Sequence, residues 1–303
     1  MKSRIGPNGV HFFDRNTGLN VLLDELNPQD KVWSMSPRQV SVALTNLCDL
    51  HCLHCYAPKH KALLNTEDVL GWLKELDTAG CFGVGFGGGE PTLHPDFVEI
   101  CKRTGGETQL AVTFTTHGHR LTQQLVKNLQ GSIHFTRISV DGTGHIYEEQ
   151  RGKPFSNILK AMESVATLSP FGINVVVNER TIFELDAVAE VAKKFGASEL
   201  LLLPQQATNS VAGMDEVVGR EFQNWVSNYR GVVRLAVSEA GASGLPTCDP
   251  LPNEGGLQAY AHIDASKMLR TSSYSIAGAH IGETGVLSAL KRLRNTLEIK
   301  QET

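Results

Sequence analysis

Short apolar segments alternate with amphipathic helical stretches along most of the chain, and this alternation constrains the fold more than any other feature. Segments 40–47, 82–86, 110–115, 133–140, 173–177 and 199–203 read as strands, apolar enough to be buried on both faces. Helical periodicity fills the gaps. Residues 67–76 form one amphipathic stretch behind the cap candidates Asn65 and Thr66. Leu185, Val188, Ala189 and Ala192 make a second apolar face that ends at Gly196, and Val218, Phe222, Trp225 and Val226 make a third. Six strand–helix units in succession predict an α/β protein with a parallel sheet and right-handed crossovers. Periodicity leaves both an open doubly wound sheet and an incomplete barrel possible.

The two ends follow other rules. Residues 10–23 alternate around Asp14-Arg15-Asn16-Thr17-Gly18, which predicts a β-hairpin within an N-terminal appendage spanning 1–38. The alternating units occupy 39–238. Residues 239–256 are then rich in Gly, Pro and Ala and mark a boundary. The tail, 239–303, offers a second hairpin, 260–263 and 268–272 around 264–267, and a last helix with Val286, Leu290, Leu293 and Leu297 on one side.

Charge and length narrow the functional classes. Lys and Arg total 28 against 32 Asp and Glu, a net charge of -4, and the one dense basic cluster is Lys291, Arg292 and Arg294. A general nucleic-acid binder would carry a basic face, so nucleic acid is not an expected partner. No run of apolar residues is long enough to span a membrane, and residues 1–7 lead into no signal-peptide core. The expected location is cytoplasmic.

Six cysteines are too few for a disulfide scaffold of this length, and three of them crowd together. Cys48, Cys52 and Cys55 have the spacing CxxxCxxC directly after the first strand, at the strand end where parallel α/β proteins place their chemistry. Three thiolates on one loop suit three irons of a four-iron cluster and leave the fourth iron open. Zinc is the alternative, but its structural sites want four ligands, and His51 and His54 lie awkwardly inside the motif. Cys81 and Cys101 read as buried small hydrophobes and Cys248 as a loop cysteine.

With Gly87-Gly88-Gly89-Glu90-Pro91 after the second strand, this triad resembles the radical SAM superfamily over about residues 39–204. The resemblance implies a partial (β/α)6 TIM-like barrel with the N-terminal hairpin and a C-terminal α+β appendage. It implies one 4Fe-4S cluster on Cys48, Cys52 and Cys55, with S-adenosylmethionine bound to its open iron and cleaved reductively to a 5′-deoxyadenosyl radical. His54 stands where the family usually has an aromatic residue beside the adenine, with Tyr56 following the third cysteine. Gly88, Gly89, Glu90 and Pro91 match the segment that receives the methionine ammonium. Ser139 and Asp141 resemble the positions that bind ribose and carboxylate, Arg151 an arginine that pairs with the cofactor carboxylate, Asn178 a further polar position, and Leu203 a contact to adenine. His117 stands where the family often has asparagine.

The tail resembles the cysteine-rich SPASM or twitch extension of peptide-modifying relatives in layout but not in cysteines. One cluster is therefore expected. The resemblance implies a peptide or protein side chain as substrate, crosslinked, epimerised or otherwise functionalised at a C–H bond. Rival readings are a small molecule such as a sugar or nucleotide, RNA, and a non-catalytic metal-binding protein. An electron donor such as flavodoxin or ferredoxin is the other implied partner. No residue stands out as a general acid or base.

Overall fold

In a computed structural model, residues 1–208, 211–238, 244–245, 251 and 253–301 are described. Cys248 lies outside them. Seven strands succeed one another in parallel: β4 (Gln39–Thr45), β5 (Gly83–Gly88), β6 (Ala111–Thr116), β7 (Phe135–Ser139), β8 (Phe171–Val177), β9 (Glu199–Pro204) and β10 (Arg234–Val237). Each pairs with the next in sequence, without the reversal of strand order that defines a doubly wound sheet. Among the described residues the sheet does not close, so the architecture is an incomplete barrel, and β10 adds a parallel strand to the expected six.

The expectation that these strands bury apolar side chains on both faces is corrected. One face is apolar: Val40, Leu44, Val84, Phe114, Ile138 and Leu202 are fully or almost fully buried in the core. The opposite positions carry Ser41, Ala43, Gly85, Gly87, Thr113 and Ser139, which line a cavity instead. Period-two alternation therefore divides each strand between a packed outer layer and a hollow interior. In a closed barrel, bulky branched residues would fill that space.

Helices cover the apolar face. α1 (Thr66–Thr78) starts at Asn65, whose side chain accepts hydrogen bonds from the amides of Glu67 and Asp68. It buries Val69, Leu70, Trp72, Leu73 and Leu76, each worth about 1.5–3 kcal/mol on burial. α2 (Phe97–Glu107), α3 (Gln123–Leu129), α4 (Gly144–Arg151), α5 (Phe155–Ala166), α6 (Leu185–Lys194) and α7 (Glu216–Asn228) follow in the gaps. Cys81 and Cys101 are buried as expected.

The N-terminal appendage has one strand more than the expected hairpin. β1 (Lys2–Gly6), β2 (Gly9–Phe13) and β3 (Asn20–Leu23) form an antiparallel sheet, with Phe13 opposite Asn20 across the predicted turn. Arg15 in that turn donates to the carbonyls of Thr108, Leu110 and Gly105 and fixes the sheet against the barrel.

The tail continues the main sheet. β11 (Tyr260–Ile263) pairs in parallel with β4, and β12 (Met268–Arg270) and β13 (Gly278–His280) extend that edge. α8 (Gly285–Gln301) then packs on α1. Arg4 of β1 is buried, donating at 2.8 Å to Glu254 and at 2.9 Å to the Gln258 carbonyl, so the two ends of the chain are locked together.

Candidate active site

The inward faces of the strands enclose a cavity of about 1420 Å³. Its lining reaches from Phe13 and Phe82 at the beginnings of the strands to the cysteine loop at their ends, and includes Tyr260 and Tyr274 of the tail. Cys48, Cys52 and Cys55 are half-buried and all face it.

The glycine segment carries the cysteine loop. Gly88 has φ +121, and a Cβ on it would stand 2.2 Å from the Thr45 carbonyl oxygen. A Cβ on Gly89 would stand 2.2 Å from the Leu47 oxygen. Those two carbonyls accept hydrogen bonds from the amides of Gly89 (2.7 Å) and Glu90 (2.8 Å). The glycines thus let β5 run hard against the residues just before Cys48. Gly87, by contrast, has open space where a side chain would be.

Glu90 and Pro91 are not among the residues that line the cavity. Glu90 is 1% exposed and its oxygens are taken from within. They accept from the Thr92 amide and hydroxyl, from Thr116 Oγ1 at 2.8 Å and from the His117 amide at 2.9 Å. His117 Nε2 lies 2.8 Å from Asp49, the neighbour of Cys48. Glu90 and His117 therefore tie the end of β6 to the cysteine loop.

A second buried network holds the loop from the other side. Asp141 is fully buried and accepts from the Val176 amide at 2.7 Å. It is paired with His54 Nε2 at 3.0 Å and with Arg151. Burial alone would raise its carboxyl pKa, but the Arg151 guanidinium and the His54 ring outweigh that and hold it well below the usual carboxylate range. His54 Nδ1 lies 3.1 Å from Gln150 Oε1, and Arg151 Nη1 approaches Cys52 Sγ at 3.5 Å. Asp141 is thus a support behind the wall, while His54, Arg151 and Ser139 face the cavity.

Tyr56 lines the cavity and packs on Tyr274, ring centroids 4.9 Å apart. Leu203 lines it as well. Asn178 does not: its Oδ1 accepts from the amides of Arg180 and Thr181 and its Nδ2 donates to Gln205, so it builds the turn after β8. The inward polar residue of that strand is Asn174, which the sequence reading missed although period-two alternation from Val176, also inward, reaches it. Also missed are Ser41, Tyr260 and His262, joined through Ser41 Oγ at 2.7 Å from His262 Nδ1. No local signal placed β11 beside β4.

The donor set fits a multi-iron cluster. A single tetrahedral zinc would draw thiolate sulfurs to about 3.8 Å of one another. Among the described residues, the only Cys, His or acidic trio whose ligand atoms all lie within 4.8 Å is Cys48, Asp49 and His117. The cysteine triad is spread wider than that. Burial pushes the Cys48 thiol up to about 11, so coordination must displace its proton.

The Radical SAM superfamily description matches residues 42–192. Over 163 residues, 51% of this chain, the sequence is 32% identical to mycofactocin maturase MftC of Mycobacterium tuberculosis and covers 41% of that protein. Over 171 residues it is 30% identical to the AdoMet-dependent heme synthase of Methanosarcina barkeri, 54% of this chain and 49% of that one. The chain thus spans less than half the length of these curated relatives. Among solved structures, Streptococcus suis SuiB bound to precursor peptide SuiA superposes with a TM-score of 0.73 at 11% identity, over 95% of this chain and 86% of that one. The structure of anSMEcpe with bound AdoMet and the Cp18Cys peptide gives 0.61 at 16% identity, over 80% and 75%. At such identities the likeness is one of fold.

Proposed function

Because the chain belongs to the radical SAM superfamily, we propose that it is an enzyme holding one 4Fe-4S cluster on Cys48, Cys52 and Cys55 and binding S-adenosylmethionine beside it. The observation that carries this reading is the cysteine loop, clamped by Gly88 and Gly89 and opening into the cavity. When bound, the reduced cluster and S-adenosylmethionine supply a carbon radical able to take a hydrogen atom from a substrate.

The chain's own residues position and exclude. Gly87 to Gly89 offer backbone to the cofactor's methionine end, Arg151 and Ser139 its carboxylate and ribose, and Leu203 its adenine. Glu90, His117, Asp141 and His54 keep the loop in place. The N-terminal sheet and the tail wall the cavity and keep water and other hydrogen donors away from the reacting carbon.

For the substrate we favour a peptide or protein side chain, modified at a C–H bond. SuiB was solved with its precursor peptide and anSMEcpe with a peptide, and the maturase is among the relatives. The cavity exceeds the roughly 300–1,000 Å³ of an ordinary small-molecule site, leaving room for cofactor and side chain together. A small molecule is the second reading, favoured by comparable identity to the heme synthase. Co-expression with short peptides encoded beside the gene separates them: a peptide altered in mass supports the first, and cofactor consumption on a metabolite alone supports the second. Iron analysis after anaerobic reconstitution should give about four atoms per chain, and about eight would contradict a single cluster.

A further inference from the structure

The cavity lining carries arginine but no carboxylate. Arg38, Arg137, Arg151 and Arg234 face it, and among the described residues no Asp, Glu or Lys does. The carboxylates that pair with these arginines lie behind the wall, and one of them is shared. Glu199 of β9 pairs with Arg137 of β7 and stands 3.9 Å from Arg234 of β10, so two guanidiniums divide a single negative charge. The sheet brings them together: Gly172 of β8 is in register with both Arg137 and Glu199, and Glu199 is in register with Arg234. Gly172 has no side chain to stand between Arg137 and Glu199. Among the described residues, Arg137 engages two of its five N–H donors, towards Glu199 and, at 3.3 Å, towards Asn174. Arg234 donates no hydrogen bond among them, and its side chain is 75% exposed.

Arg137 and Ser139 are two residues apart on one strand, so the arginine row lies about 7 Å from Ser139, towards the strand beginnings. Ser139 stands at the place proposed for the cofactor's ribose. A substrate group gripped by the arginines would therefore leave the atoms between it and the cofactor within reach of the radical. The planar guanidinium fork matches a carboxylate, and a bound anion would balance the charge that the one shared Glu199 leaves over. We propose that Arg137 and Arg234, held by Glu199 and Asn174, form an anion subsite at the floor of the cavity, which takes a carboxylate of the substrate and thereby sets which carbon meets the radical. This deepens the peptide reading above and rests on it. A peptide supplies such a group from an acidic side chain or from its C-terminus.

The test measures equilibrium binding by calorimetry to the reconstituted full chain with S-adenosylmethionine present, so it needs no turnover. The probes are Gly-Gly-Glu-Gly-Gly capped at both ends against its Gln counterpart, and pentaglycine with a free C-terminus against its amide. At least one acid should bind about tenfold or more tightly than its neutral partner, and added salt should shrink that preference. The pair that shows it identifies the side chain or the C-terminus as the source. Arg234→Gln should remove most of the preference, and its exposed position keeps the fold intact. Arg137→Gln should remove it as well, whereas Arg137→Lys should keep a part, because an ammonium has the charge without the fork. Equal affinity for acid and neutral probes in both pairs, no binding of either acid, or a preference that survives both Arg137→Gln and Arg234→Gln would each overturn the proposal. A parent chain that takes up no cluster is recognised by iron content before any peptide is added; that result removes the functional reading and this inference with it.

Discussion

Gly89 is the residue at which the geometry leaves least freedom, since any side chain would meet the Leu47 carbonyl at 2.2 Å. Gly89→Ala should displace the loop before Cys48, cost at least about 2 kcal/mol and reduce the iron retained after reconstitution. Thermal unfolding and iron analysis would read both; a variant with parent stability and full iron would contradict the clamp. The sequence marked this glycine for another reason, close approach of a ligand. Within the chain its neighbour is the loop after β4, which no local pattern reveals. Glu90 was legible as important for the same motif, yet its oxygens face Thr92, Thr116 and His117 rather than the cavity. His262 was not legible at all. Its burial pushes the imidazole down to about 4, whereas it titrates near 6.5 when unfolded. The unfolded chain therefore binds the extra proton, so this residue's share of stability is whole above pH 6.5 and falls as the pH drops from there towards 4. His262→Asn should flatten the stability curve in that window by up to about 1.4 kcal/mol per pH unit, and an identical slope in both proteins would contradict a buried neutral ring.

At the scale of elements, the alternation of strand and helix was readable because local periodicity encodes it. The α1 cap at Asn65 and the turn between β2 and β3 stand where their residues predict. What periodicity did not encode is which face looks inward. Ser41, Gly85 and Thr113 were folded into strands taken as apolar throughout, and their smallness is what leaves the barrel hollow. β1 was missed because Lys2–Gly6 is short and half polar. Its place depends on Arg4, whose buried guanidinium reaches Glu254 at the far end of the sequence. Arg4→Ala leaves that carboxylate buried without its nearest partner and should destabilise the chain by about 3–5 kcal/mol. Hydrogen exchange should then show β1 and β2 opening before the barrel strands; uniform opening of the whole chain would contradict a local lock.

Across the whole molecule, the N-terminal sheet, the unclosed barrel and the tail build one cavity, with the cysteine loop at its rim. The sequence indicated the barrel and both appendages as separate pieces. The pairing of β11 with β4, which makes the tail part of the same sheet, arises from contacts distant in sequence and left no trace in local patterning. No helix among the described residues is long and apolar enough to cross a membrane. The central claim is that the three cysteines hold a cluster which cleaves S-adenosylmethionine into this cavity. The most direct measurement is 5′-deoxyadenosine formation by the anaerobically reconstituted chain under dithionite, set against Cys52→Ala. The account predicts product from the parent chain and none above background from the variant, whereas equal product from both, or a colourless parent holding zinc, would contradict it.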